Sequence, residues 1–254
     1  MKLELALLYA ALGGYALSAV LSLLRRVRGS GGRGLAPVLS SAVAIALHVG
    51  FVAVRAGRVG FLPFASRFEA MALFALAIHA AGLAVYLCRP RDSAKAIADG
   101  LSAALLAVVI LAIGSTPGGS LNPILNSAWF AVHIIIAFGA YGLVVAGLAW
   151  SIAGLLDSRL SGDVEPPRRV ALIAAFLLGA GILTGALWAD VSWGTYWNWD
   201  PKESWALLTW AVLVAYAHLR PRRWLNFAAF GLAAAVMLFT FIGINLLKWG
   251  AHRY

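Results

Sequence analysis

An all-α, polytopic membrane protein is the fold class this sequence predicts. Three observations predict it. Of 254 residues, 62% are hydrophobic and only 12% charged, with a mean hydropathy of +0.87. A water-soluble domain of this length needs far more polar surface. Apolar runs of helix length follow one another along the chain, and no soluble domain or long linker interrupts them. Each run, the seventh excepted, approaches or exceeds the roughly 17–25 residues that cross a bilayer.

The runs fall at about 3–24, 36–54, 66–88, 96–114, 129–156, 169–189, 205–219 and 225–247, so about eight transmembrane helices are expected. The first run has a single early Lys2 and no small-residue cleavage signal before its arginine cluster, which reads as a retained helix and not a removed leader. Gly29 to Gly34 and Asp157 to Pro167 are loops by their glycine, proline and charge content. The seventh run is short, and Asp200-Pro201-Lys202-Glu203 ahead of it reads as a helix start. Asp suits the N-cap, Pro the first helical position, and Glu at the third closes a capping box. Cys88 is the single cysteine, so the chain has no intramolecular disulfide and no CxxCH of its own.

The net charge of +10 belongs with basic loops and anionic headgroups, not with nucleic acid. With the first loop on the cytoplasmic side, that side holds 13 basic residues: Arg25, Arg26, Arg28, Arg33, Arg89, Arg91, Lys95, Arg159, Arg168, Arg169, Arg220, Arg222 and Arg223. The opposite side holds seven: Lys2, Arg55, Arg58, Arg67, Lys202, Lys248 and Arg253. The positive-inside rule then puts both termini on the outer face of the cell membrane. The Arg55–Arg67 loop runs against that assignment.

On the same outer face lies WGTYWNWDPKES, residues 193–204, which packs Trp193, Tyr196, Trp197 and Trp199 into seven positions before the Asp200 cap. An interfacial aromatic belt explains such rings in general, but a belt spreads over many helix ends. The five histidines are His48, His79, His133, His218 and His252. His133 and His252 lie near the outer ends of the fifth and eighth spans and flank the aromatic loop. His218 stands thirteen residues beyond Trp205, about 20 Å deeper along a helix. Two imidazoles at one level beside a ring-rich loop suggest axial ligands to a haem lying along the aromatics.

WGTYWNWDPKESWALLTW resembles the tryptophan-rich "WWD" signature of the cytochrome c biogenesis haem-handling proteins, of the CcsA/ResC type in the system II pathway. The likeness continues in order through GRVGFLPFASRFEAMALF (57–74), WFAVHIIIAFGAYG (129–142), AYAHLRPRRW (215–224) and GINLLKWGAHRY (243–254). The related CcmC type has Asp-Ala-Arg after the tryptophans, and CcmF types are much longer. The resemblance implies a single transmembrane haem-handling domain over 1–254, with the WWD loop at about 190–205. It implies that His133 and His252 are external axial ligands of haem b. It also assigns Trp193, Trp197, Trp199 and Asp200 to a haem platform, beside Tyr196, and His218 to a ligand site on the transmembrane route. A CcsB/ResB-like membrane partner and an apocytochrome c bearing CxxCH are implied as well. The 254 residues are somewhat short for this type, and the large partner domain sometimes fused to it is expected on a separate protein.

The function expected is haem binding, transport and presentation for attachment to apocytochrome c, as a component of a membrane cytochrome c synthase. Lys202, Lys248 or Arg253 would pair with the haem propionates. No catalytic dyad is visible, and positioning is the chief contribution expected of the protein. A b-type electron-transfer subunit is the alternative, and it requires paired histidines at matched depth, for which His48 and His79 are the candidates. A packing or hydrogen-bonding role suits both better. A transporter with a plain aromatic belt leaves the paired outer histidines unexplained.

Overall fold

A computed structural model describes residues 2–114, 122–157 and 165–243. Among them are eight α-helices: α1 Lys2–Val27, α2 Leu35–Val59, α3 Arg67–Cys88, α4 Asp92–Val108, α5 Ala128–Leu156, α6 Glu165–Trp193, α7 Pro201–Ala217 and α8 Arg223–Leu238. A π-helical turn, Val109–Ile113, extends α4, and another, Phe239–Gly243, extends α8. With the π-helical turns counted into α4 and α8, seven of the eight are long and apolar enough to cross a membrane. The exception is the 17-residue α7, where the sequence also runs short. The chain is a multi-pass membrane protein, and it divides into two compact units, 1–123 and 124–254.

In the first unit small residues let the helices approach closely. A Cβ at Gly14 would lie 2.6 Å from Ala44 Cβ, and one at Gly82 would lie 2.9 Å from Ala98 Cβ. Lipid offers no hydrophobic drive between apolar helices, so such close backbone packing and buried polar contacts hold them together. Three polar layers do the second job. At the end where α1 begins, Glu4 pairs with Arg55 and Arg58, and Arg55 Nε donates to Glu69 at 2.8 Å. Glu69 also closes a capping box with Ser66 that starts α3. At the opposite end Tyr86 donates to Asp92 at 2.7 Å, accepts the Gly34 N–H at 2.8 Å, and Arg25 reaches Asp92 at 3.4 Å.

The middle layer joins all four helices. Lys95 Nζ donates to Asp99 Oδ2 at 2.8 Å and to Ser41 at 2.7 Å, and Ser18 donates to Asp99 at 2.6 Å. Asp99 Oδ1 faces His79 Nδ1 at 3.2 Å. Tyr15 stacks on His79 with ring centroids 3.8 Å apart and places its hydroxyl 2.9 Å from His48 Nδ1. Phe51 and Phe68, packed edge to face, separate this layer from the Glu4 cluster.

Two basic residues assigned above to loops are therefore core residues. Arg55 and Lys95 are each 1% exposed and lie inside α2 and α4. The α2 helix runs a full turn past the predicted end because its last arginines have carboxylate partners on α1 and α3.

The second unit is built on the long α5–α6 pair. Gly147 on α5 admits the Phe230 ring of α8 so closely that no side chain fits between them. Tyr216 on α7 donates to Asn226 on α8 at 2.6 Å, which closes the end of the unit away from the tryptophan loop.

Candidate functional site

The tryptophan loop is a short, tightly specified link between α6 and α7. Helix α6 ends at Trp193, where Gly194 adopts a left-handed φ of 75° that glycine accepts without cost. Helix α7 starts at the predicted box. Asp200 accepts the Lys202 N–H at 2.9 Å, and the Asp200 N–H donates to Glu203 Oε2 at 3.1 Å. Glu203 Oε2 takes a second N–H, from Asn198, at 3.0 Å. One carboxylate thus holds both sides of Trp199. That residue has φ 55°, the left-handed region, which costs a side-chain-bearing residue about 1–2 kcal/mol. The strained backbone turns the Trp199 ring outward, 71% exposed, with Tyr196 57% exposed beside it. Trp197 packs edge to face on Trp199 with centroids 5.7 Å apart. Asp200 itself is buried and engaged in the cap, so it shapes the loop and does not present its carboxylate outward.

Trp193 belongs to a different layer. Its ring meets Trp188 at 4.7 Å, and Trp188 in turn meets Phe130 of α5 at 4.7 Å. The Trp188 indole N–H donates to the Ile124 carbonyl at 2.9 Å, so this ring is locked. Trp188 is inconspicuous in the sequence because it lies inside an apolar run. Its spacing of five from Trp193 was the available signal.

Below this layer sits His133, in the second turn of α5. Its Nδ1 lies 2.7 Å from the Gly181 carbonyl of α6. A carbonyl oxygen only accepts, so Nδ1 carries the hydrogen and the ring's lone pair is on Nε2. The ring lies on bare backbone, for a Cβ at Gly185 would come within 2.8 Å of it. Gly185 precedes Trp193 by eight residues, about 12 Å along α6. The sequence puts His133 at the height of the loop. The structure sets its ring deeper, beneath the Trp193–Trp188–Phe130 layer.

His218 caps the far end of α7 from Asp200, as its thirteen-residue spacing from Trp205 predicts. It is exposed, and its Nδ1 lies 2.8 Å from the Val214 carbonyl. Its lone pair is therefore also on Nε2. His252, Lys248 and Arg253 lie outside the described residues. The structure thus joins Tyr196, Trp197, Trp199 and Asp200 in one loop, links Trp193 to the His133 layer through Trp188, and keeps His218 at the opposite end. The donor chemistry of His133 and His218 fits an iron porphyrin: an imidazole whose second nitrogen is fixed by a carbonyl is the usual arrangement of a ligating histidine.

His48 and His79 do not face each other across an open slot. Tyr15 engages both, through its hydroxyl and its ring face respectively. His48 is thus hydrogen-bonded and His79 stacked. Among the described residues no group of three or more His, Cys, Asp or Glu is arranged to hold a metal ion.

A family model described as "Cytochrome C assembly protein" matches residues 3–252. The chain belongs to the cytochrome c assembly protein family. The "Cytochrome c biogenesis protein CcsA" of Chlamydomonas reinhardtii is 34% identical over 150 residues, which is 53% of this chain and 42% of that protein. The protein of the same name from Parasynechococcus marenigrum is 28% identical over 238 residues, covering 77% of this chain and 78% of its own. Among solved structures, "Cytochrome c Heme Lyase CcmF" superposes with a TM-score of 0.74 at 22% identity, over 95% of this chain. The chain spans 46% of that protein, and the likeness is one of fold. Cytochrome c assembly proteins are thus the setting in which the tryptophan loop and His133 are to be understood.

Proposed function

We propose that this chain holds haem b on the outer face of the cell membrane and presents it for attachment to apocytochrome c. As a cytochrome c assembly protein the chain acts in cytochrome c maturation, and haem is the group that maturation handles. The finer reading is that residues 1–254 act as one haem-handling domain and as one component of a membrane cytochrome c synthase, with a CcsB/ResB-like partner. Both termini and the tryptophan loop face outward in this reading. With the core residues Arg55 and Lys95 removed from the loop tally, the basic residues still stand at 12 against 6 in favour of that orientation.

The single observation that supports the reading is the His133–Gly181 hydrogen bond of 2.7 Å, which puts the ring's hydrogen on Nδ1 and its lone pair on Nε2. His252 would be the second residue to hold the haem iron, by its place in the sequence motif. Bound haem would supply an iron to ligate and two vinyl groups to which the thiols of CxxCH add. The chain's own residues hold, orient and shield. Trp199 and Tyr196 offer flat apolar faces at the exposed loop. Glu203 keeps Trp199 in its strained outward pose through the flanking N–H groups. Lys202, Lys248 and Arg253 are the cations for the propionates. His218 forms the ligand site at the opposite end of α7, on the route across the membrane.

The test is spectroscopic. Purified full-length chain is expected to carry a low-spin haem spectrum, which His133→Ala and His252→Ala each convert to a high-spin or haem-free form. Unchanged haem content and spectrum in both variants would sink the proposal.

A further inference from the structure

We infer that Gly181 and Gly185 of α6 form a backbone cradle that fixes the tautomer and the rotation of the His133 imidazole, making Gly185 a positioning residue for haem ligation. The inference rests on the reading of His133 as an axial ligand. It assigns a role to residues that lie in no tryptophan motif and carry no side chain.

Three contacts support the cradle. The Gly181 carbonyl accepts from His133 Nδ1 at 2.7 Å. The same carbonyl accepts from the Thr184 hydroxyl at 3.0 Å, and that hydroxyl also lies 2.9 Å from the Ala180 carbonyl. The Gly181 acceptor is thereby held from its own helix as well as from α5. At Gly185 an added Cβ would stand 2.8 Å from Nδ1, 2.9 Å from Cε1 and 3.5 Å from Cγ of His133. Those three distances describe a ring laid against the backbone, with no room for even a methyl group. The Gly181 side is looser, since its Cβ would meet Ala137 at ordinary distances from 3.5 Å. So Gly181 contributes its carbonyl and Gly185 its lack of a side chain.

The consequence is directional. An imidazole can ligate through either nitrogen, and it can turn about its Cβ–Cγ bond. The carbonyl removes the first freedom by holding the hydrogen on Nδ1, and the bare surface at Gly185 restricts the second. A methyl group at Gly185 must push the ring off the Gly181 carbonyl, because the helix backbone beneath it cannot recede.

The test uses the full chain with its haem and three variants. Gly231 is a helical glycine of α8 with open space around it, so Gly231→Ala controls for a glycine-to-alanine change as such. Gly185→Ala is expected to weaken haem binding roughly 10–100-fold, the loss typical when the outer partner of a metal-ligating histidine is removed. It should also raise the high-spin fraction, with Gly231→Ala unchanged. His133→Ala should lose the low-spin spectrum and recover it with added imidazole. If His133→Ala loses the spectrum while Gly185→Ala keeps wild-type affinity and spin state, the cradle is refuted and the ligand assignment stands. If His133→Ala itself has no effect, the ligand assignment falls and the cradle with it. A measurement on the unsubstituted chain guards against a Gly185 variant that does not fold. With ferrous low-spin haem, 15N signals of labelled histidines should show His133 protonated at Nδ1, and an Nε2–H tautomer overturns the inference.

Discussion

The two four-helix units spend their polar residues in opposite ways. In the first, ionisable side chains answer one another inside the protein. Arg55, 1% exposed, pairs with Glu4 and Glu69, and Lys95 pairs with Asp99. In the second, imidazoles are held by backbone carbonyls and rings are turned outward: His133 on Gly181, His218 on Val214, and Trp199 at 71% exposure. A charge buried in a bilayer must be paired, so the first unit reads as a scaffold whose helices are keyed together by ion pairs. A carbonyl-held imidazole carries its hydrogen on the bonded nitrogen and its lone pair on the other, the tautomer that the proposed haem ligation needs, and both such imidazoles described belong to the second unit. The difference teaches that a membrane histidine is judged by its partner. Tyr15 bonds His48 and stacks on His79, whereas the Gly181 carbonyl fixes the tautomer of His133, the residue proposed above as a ligand.

Substitutions can break this contrast, and the largest effect is expected in the scaffold. Arg55→Met leaves Glu4 and Glu69 buried without their shared cation, and should cost about 3–5 kcal/mol. Unfolding in mixed detergent, followed by far-UV circular dichroism, would measure it. A near-wild-type midpoint would show that the ion pairs do not key the first unit. Glu203→Ala removes the acceptor of two loop N–H groups and should cost about 1 kcal/mol. Faster proteolysis within residues 193–199 is the expected readout. The smallest stability change is predicted for Trp199→Gly. Relief of about 1–2 kcal/mol of left-handed strain offsets about 0.5–1.5 kcal/mol of lost contact with Trp197. Haem retention should nevertheless fall, and a variant that keeps both stability and haem would remove Trp199 from the site.

Much of the fold was legible because a bilayer reduces it to lengths and caps. Apolar runs marked all eight helices, and the Asp200–Glu203 signature marked the start of α7 to the residue. The same grammar at Ser66–Glu69 starts α3, although in the sequence those residues stood only as part of a family-like segment. Helix ends were less legible where a tertiary partner decided them. Arg55 and Arg58 look like loop charges until Glu4, some fifty residues away, is brought beside them. The candidate site divides in the same manner. Its loop was legible because the aromatic residues are contiguous. The depth of His133 was not, because it depends on two glycines of α6 with no side chain to announce them.

Cys88 ends α3 at an exposed position and is the chain's single sulfhydryl. The molecule therefore carries a native chemical handle at one defined edge of its first unit. A thiol reagent that cannot permeate lipid will label it from one compartment only. The vectorial orientation of the whole chain can then be read in intact cells, without altering a single residue.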